Sequence, residues 1–536
     1  MPAVMSTKLV VSNRGALKAK YGAAGFTAIE KALKQMVAAD AKRSIRTVIV
    51  YLDDKSLGAK AVKTPDNPKQ NKVAVDAIIA KTGEPDYLMI LGAPDVVAFQ
   101  QLKNTIDGDE DADVPSDLPY ACTAAYSTNM SAFVGPTRVV GRLPDLRGGN
   151  VAAEFVKLIA NATSAAPMAS VAAYFAVTAA VWKVSTQLSL QSIFGSAASL
   201  KIAPPQTSTY GPNTLSAPMH FVNCHGSPAD PQFYGQSGSS YPVAMHAQQL
   251  GGGAGGVTTG CVAAFECCYG AELYPPAMAG NVASIADTYL AGGAYGVLGS
   301  TTIAYGPATT NDLADILCAT FLIRVRAGAS LGRALLEARQ DYVASRSVMS
   351  PTDLKTLAQF VLLGDPSIQP VAATDAPPHA VLAATSKSFG GAGAVDVIAR
   401  TSRRSKLAQF GAAIGAVTPR ASGTQTKTSA KVQKALEALL ASDASDTASD
   451  AAAPQAKAMR RSAGPVRFST YSVSGGSAKS VTFASMGKGK SASGVPETIH
   501  LAVEPLTTIG KGTWYKISEI HEVNGNLLPR AVAYSR

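Results

Sequence analysis

Short apolar runs that end abruptly in small and polar residues recur along the first 370 residues. RTVIVYLDD, PDYLMILGAPDVV, TRVVGRLPD, HFVNCHG, GCVAAFECC and GGAYGVLGSTTIAYG all have this form. A strand that is apolar on both faces must be covered on both, and segments with helical spacing lie between these runs to cover them. FTAIEKALKQMVAAD, VAVDAIIAKTG with its glycine stop, VAAEFVKLIANAT, LADILCATFLIRVRAG and SLGRALLEARQDYVAS have that spacing. The alternation implies an α/β fold with a mostly parallel sheet and helices on its faces. MASVAAYFAVTAAVW reads as a further buried element, and LAQFVLLGDPSIQPV as a closing helix and turn.

At 536 residues the chain is too long for one core. The spacing of signals divides it into a smaller α/β subdomain at 1–150, the main domain at 151–370, a linker at 371–465 and a small β-rich domain at 466–536. The linker is expected from its Ala, Ser, Thr and Lys content and from ASDASDTASDAAAPQ, with one helix at KVQKALEALLA. Nearly all of the net charge of +11 falls after residue 370. Those charges are scattered among Ala, Ser and Gly, which reads as a solvated tail; nucleic acid is not an expected partner. The N-terminal residues lack the pattern of a secretory signal, and no apolar run reaches the roughly 18–20 residues of a membrane span. The six cysteines make no disulfide framework. A cytoplasmic location is therefore expected.

Four cysteines crowd around two strand ends: Cys224 beside His225, and Cys261, Cys267 and Cys268 around the next apolar run. A buried strand that breaks into small residues delivers a side chain to the edge of a sheet. His225 and Cys268 presented in this way could form a nucleophile and base. The thiol attacks as thiolate, and a neighbouring imidazole can take its proton. Gly226 and the amide of Cys268 are the natural donors to an oxyanion, because glycine leaves a backbone N–H open to approach. Strand alternation sends Cys267 and Cys268 to opposite faces; Cys268, next to Tyr269-Gly270-Ala271, is the one expected to reach solvent, and Cys267 is expected to pack. A zinc site from Cys224, His225, Cys267 and Cys268 is disfavoured, because neither pair has Cys-x-x-Cys spacing. GGGAGG at 251–256 lacks the Lys-Ser/Thr of a phosphate loop and reads as a mobile loop. No metal or cofactor is expected.

At FVNCHG and VAAFECCYGA the chain resembles the gingipain-like cysteine peptidases of clan CD, relatives of caspases. PDYLMILGAPDVV, VPSDLPYA with RVVGRLP, GGAYGVLGSTTIAYG, LGRALLEA and LLGDPSIQPV are similar to further segments of that family in the same order, over roughly residues 25–370. The resemblance implies a caspase-like three-layer sandwich and a cysteine endopeptidase acting on polypeptides through a thioester acyl-enzyme. His225 would be the base, Cys268 the nucleophile, and Gly226 and Cys268 the oxyanion-hole donors. Asp117 is carried over as a third member orienting His225, although it also reads as a turn-forming aspartate. A preference for basic P1 residues is implied, with Asp230, Glu272, Asp312 and Asp315 as possible pocket acids, and Glu266 as a residue that could tune charge. The pairs Arg403-Arg404 and Arg460-Arg461 would then be self-cleavage sites in the linker. The alternative is a non-catalytic relative that binds peptide or protein on the same fold.

Overall fold

A computed structural model describes residues 5–211, 213–250, 256–372, 420–446, 464–474, 481–482, 493–494 and 497–536. The chain runs β1 (Ser6–Ser12), α1 (Arg14–Lys42), β2 (Ile45–Tyr51), α2 (Pro68–Thr82), β3 (Tyr87–Leu91), β4 (Gln100–Lys103), β5 (Asp113–Ser116), α3 (Leu118–Ala121) and β6 (Val140–Leu143). It continues through α4 (Ala152–Thr163), β7 (Phe175–Ala179), α5 (Lys183–Phe194), β8 (Leu200–Ala203), β9 (Met219–Asn223), β10 (His225–Gly226), β11 (Gln232–Tyr234) and β12 (Val243–His246). β13 (Val262–Phe265), α6 (Ile285–Ala291), β14 (Gly296–Ser300), β15 (Tyr305–Gly306), α7 (Ala314–Arg326), α8 (Leu331–Ala344), α9 (Pro351–Gln359) and β16 (Phe360–Gly364) follow. The last part holds β17 (Arg420–Thr426), α10 (Ala430–Asp446), β18 (Arg467–Ser474), β19 (Val481–Thr482), β20 (Ser493–Gly494), β21 (Thr498–Ile509), β22 (Gly512–Val523) and β23 (Asn526–Ser535).

The apolar runs assemble into one ten-stranded sheet, ordered β2-β1-β3-β6-β16-β14-β13-β9-β7-β8. Every pairing is parallel except β14 with β16. Two parallel half-sheets of opposite direction therefore meet at that junction. Both faces are dry: on β13, Val262 and Ala264 enter one core layer while Ala263 and Phe265 enter the other. That is why these strands carry no polar alternation. Among the described residues, no helix is long and apolar enough to cross a membrane.

Three sequence expectations differ from what is observed. The boundary near residue 150 does not separate two sheets, since β1–β3 and β6 join the later strands across β16. The helix expected through LAQFVLL stops at Gln359, and Phe360–Gly364 is a central strand. An apolar run this short suits either state, and pairing with β14 and β6 on both sides decides it. Inside the expected linker, residues 420–446 form β17 and α10, and α10 contains the helix read at KVQKALEALLA. Its Val432, Leu436 and Leu440 pack against Ala502 and Ile520 of the second sheet, which gives this helix a tertiary partner. The rest of the low-complexity stretch, including both arginine pairs, lies outside the described residues, as does most of GGGAGG.

The second sheet is antiparallel and ordered β15-β23-β22-β21-β18-β17, so its first strand belongs to the main domain. Arg530 of β23 fastens it there. Its guanidinium donates to both oxygens of Asp353 at 2.8 Å and to Glu519 at 2.6 Å. Arg346 and Tyr342 also hold Asp353, in the first turn of α9. Arginine suits such a site because its planar fork serves several acceptors at once. Arg530→Met strands two buried carboxylates and is expected to cost about 3–5 kcal/mol of stability. Urea titration of the two proteins measures this, and a midpoint unchanged in the variant would contradict it.

Candidate active site

β9 lies between β7 and β13 with all three parallel, so β9 and β13 deliver their ends to the same edge of the sheet. Beyond Asn223 and Cys224 the chain leaves the sheet, and His225-Gly226 pairs with Phe233-Tyr234 instead. β13 ends at Phe265; Glu266, Cys267 and Cys268 follow, and Tyr269 turns the chain with φ +56°. The two ends touch through backbone. A Cβ on Gly226 would lie 1.8 Å from the carbonyl oxygen of Cys268, so only glycine fits there.

Strand alternation persists to the tip. Cys267 shares the core layer of Ala263 and Phe265, where its thiol donates to Val222 O at 3.6 Å and accepts from Cys224 N at 3.4 Å. Cys268 falls in a different cluster, with Tyr305 and Ile517. It does not reach solvent: it is 1% exposed, and its Sγ accepts from Ala304 N at 3.3 Å and donates to Ala304 O at 3.6 Å. Burial pushes its thiol above the ordinary cysteine range, so in this closed state it is protonated.

His225 is also buried. Its Nε2 donates to Gln236 Oε1 at 2.7 Å, and the Gln236 amide donates to Gly238 O and Tyr241 OH. The imidazole lies flat on Trp514 of β22, ring centres 3.4 Å apart, with Trp182 edge-on at 4.1 Å. Its Nδ1 is buried and has no hydrogen-bond partner among the described residues. Burial holds this imidazole well below the usual histidine range; the Gln236 hydrogen bond opposes that, and the nearby Arg536 charge adds to it. Burial thus favours the neutral ring, with Nε2, which faces the Gln236 carbonyl oxygen, as its donor.

Asp117 is not brought to His225. It precedes α3, and both of its carboxylate oxygens take the buried Arg142 guanidinium, at 2.6 and 2.9 Å. Arg142 also donates to Gly92 O and Val97 O, so the pair ties the loops around β3 and β6 together. The residue that orients His225 is Gln236, which carries no charge, sits in no motif and is not among the residues singled out from the sequence.

The remaining occupant of this edge is Arg536. Its carbonyl oxygen accepts from the amides of Cys268, at 2.7 Å, and Gly226, at 3.3 Å, and its own N–H donates to Ala304 O at 2.9 Å. Its side chain is fully buried. One terminal nitrogen, Nη1, donates to Asn223 Oδ1 at 2.9 Å and Ser185 Oγ at 3.4 Å; Nη2 reaches Pro307 O at 2.8 Å and both Asp315 oxygens at 3.0 and 3.1 Å. Glu266 lies 3.3 Å from Nη2, and Trp182 faces the guanidinium at 4.8 Å. Gly306 forms the wall; a Cβ there would sit 2.3 Å from Nη2. Burial, then the Asp315 charge, pushes the Glu266 carboxyl well above its ordinary range, and burial raises Asp315 while Arg536 lowers it. The other pocket acids read from the sequence are engaged elsewhere: Asp230 with Tyr234, Glu272 with the Ala229 amide, Asp312 with Arg346.

Residues 261–371 match the family model described as Peptidase family C25. No curated protein matches the chain. Among solved structures, two crystal structures of the Saccharomyces cerevisiae separase–securin complex, at 2.6 and 3.0 Å resolution, are similar at 13% identity and a TM-score of 0.29. Each similarity covers 52% of this chain but only 16% and 15% of the other. The matched family segment begins at Cys261 and runs from β13 through Cys268, α6, β14, β15, α7, α8, α9 and β16 to Val371. Over residues 261–371, which include Cys268 but not His225, the chain is thus similar to Peptidase family C25.

Proposed function

We propose that the chain is a cysteine endopeptidase that cleaves after arginine, with Cys268 as nucleophile and His225 as base. The observation that supports it most directly is Arg536, whose carbonyl oxygen rests on the Cys268 and Gly226 amides while its guanidinium fills the acidic pocket. On this reading they stand in for a scissile carbonyl and a P1 side chain. In the reaction the Cys268 proton passes to Nδ1 of His225, with Nε2 held by Gln236, and Sγ adds to the carbonyl carbon. Negative charge grows on the oxygen between the two amides, which are already aimed at it. The imidazolium then gives its proton to the leaving amine, and water hydrolyses the thioester to regenerate the thiol.

The pocket favours arginine over lysine, because acceptors lie around both terminal nitrogens and an ammonium reaches only one group of them. Asp315→Asn is expected to lower kcat/KM for an arginyl amide by roughly 10²–10³-fold, since it removes the charge facing a buried guanidinium. Progress curves with arginyl, lysyl and alanyl amides test both points. Equal rates on all three, or an Asp315→Asn variant as fast as wild type, would remove the arginine assignment. Arg403-Arg404 and Arg460-Arg461 remain candidate self-cleavage sites for such an enzyme. Mass spectrometry of the stored wild-type chain against Cys268→Ala checks them, and two equally intact chains would argue against it.

A further inference from the structure

We propose that the segment Tyr534-Ser535-Arg536 is the enzyme's own cleft occupant, bound in substrate register, and that the second sheet holds the peptidase latent until this segment leaves. The inference rests on the peptidase reading for its P-site labels, though not for the occupancy itself. Ser535 and Tyr534 pair antiparallel with Tyr305 and Gly306, and Arg536 N–H bonds Ala304, so the segment adds a strand to a short edge of the main domain. Peptides bind sheet edges in this way, with main-chain hydrogen bonds for affinity and pockets for alternate side chains. Arg536 would be P1. Ser535 would be P2, its hydroxyl accepting from the Tyr515 amide. Tyr534 would be P3, packed with Trp182, Ala179 and Ala308.

The same sheet closes the site in two further places. Trp514 covers His225, and Lys511, in the turn between β21 and β22, donates to Ala229 O and Met278 O across the loop after Gly226. All of these contacts come from β21–β23, which are linked edge to edge. The nucleophile, the base and the P1 pocket are thus masked by one unit, which explains why Cys268 is buried. A tethered occupant acts at a millimolar effective concentration. An external substrate or inhibitor must displace it, so apparent affinity falls by the fraction of chains that are open. Substrates that compete should carry arginine at P1 with an aromatic residue at P3.

The test uses the full chain with Arg536→Ala and the milder Arg536→Lys, which keeps a cation beside Asp315. The readouts are the rate of Cys268 alkylation by iodoacetamide, followed by peptide mass spectrometry, the shift in Tm with benzamidine, and turnover of an arginyl amide. Alkylation is expected to rise at least about tenfold in Arg536→Ala and less in Arg536→Lys. Benzamidine should raise Tm in Arg536→Ala but not in wild type, whose pocket is filled. Faster alkylation and a benzamidine shift without any amide turnover would leave the self-occupancy standing and defeat the peptidase reading. Wild type that cleaves the amide as fast as either variant, with equal alkylation in all three, would defeat the self-occupancy and leave the peptidase reading. If Arg536→Ala fails to fold, the Arg536→Lys comparison decides: an alkylation rate equal to wild type overturns the proposal.

Discussion

Replacing Cys268 with alanine is expected to lower turnover of an arginyl amide by about 10⁴–10⁶-fold, to the level left by binding and the oxyanion donors alone. No other cysteine can substitute. Cys267, one residue earlier, points into the core layer of Ala263 and Phe265 and bonds Val222 and Cys224. Losing one buried sulfur should cost only a small part of the fold's stability, so the Cys268→Ala chain should keep wild-type circular dichroism. Cys267→Ala serves as the control and should stay within a few-fold of wild type in kcat/KM. Turnover in the Cys268→Ala protein within tenfold of wild type would show that chemistry is carried elsewhere.

Gly226→Ala should be nearly as damaging, for a steric reason. The added methyl would sit 1.8 Å from the Cys268 carbonyl oxygen and 2.8 Å from its carbon, and both are backbone atoms that no rotamer change can move aside. The two strand ends must part, and the Gly226 and Cys268 amides then no longer converge on one oxygen. Loss of a single oxyanion donor costs about 10²–10³-fold in kcat; disrupting the pair should exceed that. Because Gly226 also pairs with Phe233, a lower Tm is expected alongside. Kinetics and thermal denaturation of the purified variant check both, and an alanine variant with kcat near wild type would mean that this close approach does not matter in the active state.

The strand-end motifs are readable because their meaning is local. In HFVNCHG and GCVAAFECC, apolar residues followed by small ones announce a buried strand and its break, and alternation alone separates Cys267 from Cys268. The match to family C25 includes Cys268, inside residues 261–371, while His225 lies outside the matched segment. Asp117 shows where carry-over from a family pattern fails. Its neighbours in sequence say nothing of Arg142, whose guanidinium claims both of its oxygens. Gln236 fails the opposite way: an uncharged amide in a polar turn gives no signal until it is seen at 2.7 Å from His225 Nε2.

By itself the amino-acid sequence determined the α/β layering, the positions of most strands and helices, and the residues at the two tips, since hydrophobic period and turn chemistry act over a few neighbours. Tertiary structure alone decided which of several acids faces a basic side chain, that Phe360–Gly364 is a strand rather than the continuation of a helix, and that Trp514 and Arg536 pack onto His225 and Cys268. Asp315 and Arg536 are 221 residues apart. Their pairing depends on how two sheets share β15 and on the burial that makes one charge need another, and no local pattern encodes either.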